Sequence, residues 1–333
     1  ITNDQAAGLV DTGLLAAEGN PVAEVSAGCF CCRFSDFIAA ADTLIEQVQP
    51  QILLCEPVGS CTDLVATVLR PLAVYHGDRF TLAPFTVVVD PARLRDFAAL
   101  KARGLFPENV WYIFQKQLEE ANIVLLNKAD TLARDEREAC LNKLQRERPD
   151  VTVLPVSART GAGLDAWLDL LSTDRPADHA MDVDYDIYAD GEAALGWLNA
   201  TVGLHREGGY DWMSFSKALL ERFQQLCREA QAEIAHAKIL LSVPDGSITG
   251  NVTGSQTDIM LSGQADASQP EAGLVFNARV CTAPETLRDL FGAALAEAGN
   301  GLRMEVDQLD CFAPARPVPQ HRLGVKRSSP SSK

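Results

Sequence analysis

Short apolar runs in the first half of the chain alternate with longer stretches in which apolar residues recur every three or four positions. The runs at 22–27, 51–55, 85–90, 122–127 and 151–156 are rich in β-branched residues, as buried strands of a parallel sheet tend to be. The amphipathic stretches 35–48, 62–74, 91–102, 108–121, 132–148 and 164–171 predict helices, with Ser35 and Pro91 at favoured starting positions. Such alternation over 1–173 predicts an α/β domain of three layers. Ligands of these sheets bind beyond the C-terminal ends of the strands, which is where Glu56, Asn127 and Ser157 fall.

The pattern then changes. Residues 174–210 are acidic and turn-rich and predict a linker. From Trp212 a second unit begins, with a long helix over 213–235 and strands over 237–243, 247–253, 258–261 and 274–281. A helix over 284–298 follows. This order predicts a smaller α+β domain spanning 211–312. Residues 313–333 hold four prolines and a Ser-rich end and predict a disordered tail.

Charge narrows the function classes. The formal net charge is −16, and the only basic cluster is the short Lys326-Arg327. No basic stripe exists to neutralise phosphates, which argues against nucleic acid and anionic membranes as partners. No apolar run approaches the roughly 20 residues of a membrane span. The nine cysteines are an odd number with three crowded together. That is unlike a disulfide framework and predicts a reducing, cytoplasmic setting.

Those crowded thiols, Cys29, Cys31 and Cys32 in Gly28-Cys29-Phe30-Cys31-Cys32, are the first candidate site. They lack the two separated pairs of a zinc ribbon. Three thiolates with an open fourth position suit transfer of a soft ion such as Zn²⁺ or Co²⁺, not Mg²⁺ or Ca²⁺. A redox thiol cluster and buried cysteines acting as small hydrophobes remain open alternatives. The second candidate is Asn127-Lys128-Ala129-Asp130, at the end of an apolar run. The Asp carboxylate can accept two N–H bonds from a guanine edge, Asn127 can brace the loop, and the Lys128 stem can cover the base. Ser157-Ala158, after the following strand, can support the same base through backbone amides. Third, Glu56 ends the run 51–55 and is followed by Gly59, an arrangement suited to Mg²⁺ held through water and to backbone approach to a phosphate. The histidines at 76, 179, 205, 236 and 321 form no ligand pair by spacing.

The order Gly-Cys-x-Cys-Cys, acidic strand end with E-x-x-G, N-K-x-D and then Ser157-Ala158-Arg159-Thr160-Gly161 resembles the CobW-like (cobalamin-synthesis protein-like) metal-chaperone P-loop GTPases. The resemblance is specific over 1–173 and weaker over 213–311, for instance at Ala237-Lys238-Ile239-Leu240. It implies a P-loop GTPase-type domain and a GTP hydrolase in the full-length protein, with hydrolysis by this fragment left open. It also implies GTP, Mg²⁺ and Zn²⁺ or Co²⁺ as ligands. Carried over by position, Glu56 and Gly59 become the catalytic switch, Asn127, Lys128, Asp130, Ser157 and Ala158 the nucleotide contacts, and Cys29, Cys31 and Cys32 the metal motif. Asn3-Asp4 and Asp11 match a nucleotide-sensing segment. The implied partner is a client metalloprotein or a cobalamin-related enzyme, with homo-oligomerisation left open. A non-catalytic metal-binding or sensing module and a GTPase assisting a cobalamin-dependent enzyme are the alternative readings. The sequence departs from the family in having Asp4 for Glu, Pro57 in the switch and no His-rich tract. It also contains no G-x-x-x-x-G-K-[ST], so the resemblance implies a chain truncated before or through the Walker A loop.

Overall fold

The computed structural model describes residues 1–94, 107–173 and 180–324. In chain order the strands are β1 (Thr2–Asn3), β2 (Glu24–Val25), β3 (Thr86–Val89), β4 (Ile123–Leu126), β5 (Thr152–Pro155) and β6 (Gly196–His205). They continue with β7 (Glu233–Val243), β8 (Gly246–Val252), β9 (Met260–Gln264), β10 (Glu271–Cys281) and β11 (Arg303–Phe312). Two helices near the start are α1 (Val10–Ala17) and α2 (Phe34–Val48). The result is a mixed α/β chain, with parallel pairing first and an antiparallel sheet afterwards.

Two compact units divide the chain: 1–59 with 189–317, and 60–188 with 318–333. The contacts therefore do not divide at 173, where the sequence places the end of the first domain.

In the second of these units β3, β4 and β5 form a parallel sheet in that order. β4, Ile123-Val124-Leu125-Leu126, is buried on both faces, which is why it reads as an unbroken apolar run. Val124 and Leu126 pack with Leu118, Cys140 and Leu144 from the helices Glu108–Glu120 and Arg134–Glu147. Ile123 and Leu125 pack on the other side with Leu164, Trp167 and Leu171 of the helix Leu164–Leu171. The three-layer expectation describes this unit.

The unit containing both 1–59 and 189–317 is built on a six-stranded antiparallel sheet, order β11-β6-β10-β7-β8-β9. Alternate residues such as Leu198, Phe276, Ile239 and Leu241 face the helices Trp212–Glu229 and Pro284–Ala298 and form one core with Phe223 and Phe291. The intervening residues face segment 4–13: Gly13 packs against Leu240, and Val10 N–H donates to Asn277 Oδ1 at 2.8 Å.

Several expectations change. Residues 51–55 form no strand, and Ile52 and Leu54 are exposed at 71% and 64%. Composition supplies the apolar run, and Ile1 N donates to Leu54 O at 2.6 Å at its end, but among the described residues no strand pairs with it. The run 22–27 pairs only over Glu24–Val25, against β1. The predicted linker 174–210 contains the helix Tyr185–Ala193 and the interior strand β6, whose alternating pattern is interrupted by Gly196, Asn199 and Gly203. Residues 174–179 lie outside the described residues. The long helix ends at Glu229 and β7 begins at Glu233, with Gln231 in a left-handed conformation between them. The helix expected over 62–74 opens with a π-helical turn, Val65–Leu69, and continues as Arg70–Tyr75. The helix expected over 91–102 is described only to Leu94. In the expected tail, Leu323 N–H donates to Ala66 O and Arg322 pairs with Asp63, while 325–333, with Lys326-Arg327, lie outside the described residues.

Candidate functional site

The thiol turn joins β2 to α2. Ala27 at φ 62° and Gly28 at φ 144° swing the chain away from β2, and Gly28 approaches the Arg33 side chain so closely that a Cβ would lie 3.0 Å from its Cγ. Cys32 and Arg33 N–H then both donate to Cys29 O at 2.9 Å, closing the turn before α2 starts at Phe34. Phe30, Phe34 and Phe37 are buried beneath it, with the rings of Phe30 and Phe37 centred 4.4 Å apart. One side chain ties this turn to β1. Asn3 Nδ2 donates to Val25 O and Gly28 O, each at 2.8 Å, and its Oδ1 accepts from Phe30 N at 2.9 Å.

The turn brings Cys29, Cys31 and Cys32 together, their sulfurs within 4.8 Å of one another. Cys29 and Cys31 are buried and Cys32 is half-buried, so the cluster opens toward solvent on one side only. The Sγ–Sγ separations are 2.8, 3.2 and 3.8 Å. Thiolates at a Zn–S distance of ~2.3 Å in tetrahedral geometry lie ~3.8 Å apart. The Cys31–Cys32 pair has that spacing, and Cys29 must retreat by an ångström or less from each neighbour to match it. The donor set is soft, small and three-fold, which fits Zn²⁺ or Co²⁺ with one position left for an exchanging ligand.

Glu56 and Gly59 lie in the same unit, without regular structure. Glu56 N–H donates to Ile1 O at 2.9 Å. Desolvation pushes its carboxyl above the ordinary range, and the Asp11 carboxylate pushes it further, partly offset by the Lys238 ammonium. A carboxylate raised by a neighbouring carboxylate is a favourable place for a hard cation. Gly59 has open space where a Cβ would stand, so packing does not demand glycine there.

The Asn127–Asp130 loop lies at the C-terminal end of β4, in the other unit. Asn127 Oδ1 accepts from Ala158 N–H at 3.0 Å, joining the loop to the turn after β5. Ala129 N–H donates to Val156 O at 3.0 Å. Lys128 takes a left-handed conformation and its Nζ pairs with Asp90 at 2.7 Å. Asp130 is held below the usual carboxylate range by the Ser157 hydroxyl and by Arg159, whose Nη2 lies 2.5 Å from Oδ2. Ser157 itself is buried and accepts from Thr160 N–H at 3.2 Å. The five residues read from sequence as one nucleotide loop are thus adjacent. Asp90 and Arg159, which occupy the two charged members of that loop, were missed. The only signal for Asp90 was its position at the end of the run 85–90, equivalent to that of Asn127.

The profile of the CobW/HypB/UreG nucleotide-binding domain matches residues 1–155. Those residues, just under half of the chain, are similar to that domain. Over 169 residues the chain is 27% identical to the hydrogenase maturation factor HypB of Azotobacter chroococcum mcd 1, covering 50% of this chain and 48% of that protein. It is 25% identical over 169 residues to HypB of Escherichia coli (strain K12), covering 50% of each. The chain thus spans about half the length of the curated relatives it matches. Among solved structures, a Zn(II)-bound triple mutant of the YjiA GTPase covers 83% of this chain and 79% of its own, at 15% identity and a TM-score of 0.31. Zn(II)-bound YjiA from E. coli gives 15% identity and a TM-score of 0.29. Among the described residues, no helix is long and apolar enough to cross a membrane.

Proposed function

We propose that the chain is a GTP-dependent metallochaperone: it carries a soft divalent ion on Cys29, Cys31 and Cys32 and releases it to a client metalloprotein under control of GTP binding and hydrolysis. The observation that carries this reading is the convergence of three thiols in one small turn within the stretch similar to a CobW/HypB/UreG domain. A closed structural site would use four protein ligands; three favour an ion that is handed on. Asn127, Lys128 and Asp130 are proposed to read guanine, with Ser157 and the Ala158 amide supporting the base. Glu56 and Gly59 are proposed as the nucleotide-sensing switch, Glu56 holding Mg²⁺ through water with Asp11 beside it. Mg²⁺, when bound, supplies charge neutralisation at the phosphates.

Nucleotide and metal binding, measured together, test the reading. GTP and ATP are titrated with and without saturating Co²⁺, on the unaltered protein and on Cys31→Ser/Cys32→Ser. GTP preferred over ATP, with an affinity that Co²⁺ changes only when the thiols are intact, is the expected result, since linkage is reciprocal. GTP affinity indifferent to Co²⁺, or equal affinity for ATP, would overturn it.

A further inference from the structure

We infer that the polar face of the antiparallel sheet is the support that holds the thiol turn in its ligating geometry. Lys238, Asn277 and Arg279 fix segment 4–11, and Asn3 at the head of that segment fixes Cys29–Cys32. The inference rests on the reading of the three thiols as metal ligands.

The second face of an antiparallel sheet is commonly solvated and polar. Here its polar residues are aimed at one neighbouring segment. Arg279, 5% exposed, pairs with Asp4 and packs over the Trp197 ring, its guanidinium carbon 3.9 Å from the ring centre. It also donates to Leu198 O at 3.3 Å and to Asn199 Oδ1 at 2.9 Å, and Asn199 Nδ2 donates to Asp4 at 3.2 Å. Two strand positions earlier, Asn277 accepts from Val10 N–H at 2.8 Å and donates to Gly8 O at 3.0 Å. On β7, Lys238 Nζ donates to both oxygens of Asp11, at 2.9 and 2.7 Å. Segment 4–11 is therefore held at its start, near its middle and at its end.

The connection to the thiols is one residue long. Asp4 follows Asn3, and Asn3 gives one N–H and its oxygen to the thiol turn, at Gly28 O and Phe30 N–H, and its other N–H to Val25 O in β2. Asp4 N–H donates to Val25 O at 3.1 Å, the same carbonyl that accepts from Asn3 Nδ2. A displacement of Asp4 must pass through a planar peptide to Asn3, and from there to Gly28 and Phe30, which flank Cys29. Arg279 and Lys238 are thus positioning residues for the thiols, which neither touches. Whatever binds or bends this sheet acquires a route to metal retention.

Co²⁺ titration of the full chain, read by thiolate-to-cobalt charge-transfer absorption, tests this. Arg279→Lys keeps the charge but loses the fork of hydrogen bonds. Lys238→Met acts at the half-buried end of the segment, where no buried charge is stranded. Arg222→Met, on the helix covering the opposite face of the sheet, is the control. Arg279→Lys should weaken Co²⁺ binding by about tenfold, as removal of outer-shell partners does, and shift the charge-transfer envelope. Lys238→Met should shift both in the same direction by less, and Arg222→Met should leave both unchanged. Arg279→Lys and Lys238→Met with wild-type affinity and spectrum, whatever their melting temperatures, would overturn the inference. An unaltered protein with no thiolate band would instead overturn the metal reading on which it rests.

Discussion

Arg279 and Asp4, far apart in sequence, form an ion pair whose side chains are only 6% and 3% exposed. Burying a single charge is expensive, and burial alone pulls the Arg279 pKa down while Asp4 pulls it back up. The pair survives because Asn199 and the Leu198 and Ala278 carbonyls share the load. It follows that Arg279→Met should cost about 3–5 kcal/mol in denaturant unfolding, by stranding Asp4. The double variant Asp4→Leu/Arg279→Met should cost less than that single variant. With Asp4→Leu measured alone as the remaining corner of the cycle, additive losses would show that the two charges do not depend on each other.

Gly28→Ala should damage the thiol turn selectively. At φ 144° an L-residue is strained, and the added Cβ would press on the Arg33 stem at 3.0 Å. A stability loss of about 1–3 kcal/mol is expected, with weakened Co²⁺ binding. Gly59→Ala, where a Cβ meets open space, should leave Co²⁺ binding unchanged.

Arg159 occupies the carboxylate proposed to read guanine. Arg159→Ala should therefore leave GTP affinity equal or raise it, since the base no longer competes with the guanidinium for Asp130. Asp130→Asn should abolish the preference for GTP over ATP, because an amide cannot accept both guanine N–H bonds. Calorimetric titration of the two nucleotides distinguishes these effects. A large loss of GTP affinity in Arg159→Ala would instead make Arg159 a direct nucleotide contact.

Glu120 sets a pH signature. Burial drives its carboxyl up to about 8, although Val65 N–H donates to it at 2.9 Å. Its ordinary value is 4.5, so between 4.5 and 8 the folded chain keeps a proton that the unfolded chain has lost. Stability must then fall as pH rises through that window, by up to about 1.4 kcal/mol per pH unit from this group. Glu120→Gln, which keeps an acceptor for Val65, should remove that slope. Unfolding curves at several pH values that retain the full slope in Glu120→Gln would assign it to other groups.

How much was legible beforehand depended on how local each signal is. β4 and the loop after it were readable because Ile123–Leu126 is buried on both faces and Asn127-Lys128-Ala129-Asp130 is contiguous. The helix Pro284–Ala298 was readable to the residue, with Pro at its start and Gly299 after its end. The thiols were readable because the cluster is local in sequence. β6 and β11 were not: Asn199 and Gly203 interrupt one, and four charges fall among the ten residues of the other, Arg303–Phe312. Nor was the role of Asn277, Arg279 and Lys238, which read as ordinary strand residues. Their partners Asp4, Gly8, Val10 and Asp11 lie more than 220 positions away, and no periodicity links such residues.

The claim on which the rest depends is that Cys29, Cys31 and Cys32 bind one soft ion together. X-ray absorption at the cobalt edge of the protein loaded with one equivalent of Co²⁺ tests it most directly. Three sulfur scatterers at about 2.3 Å, reduced to one in Cys31→Ser/Cys32→Ser, is the predicted result. A first shell of oxygen and nitrogen alone, unchanged by the substitutions, would contradict it.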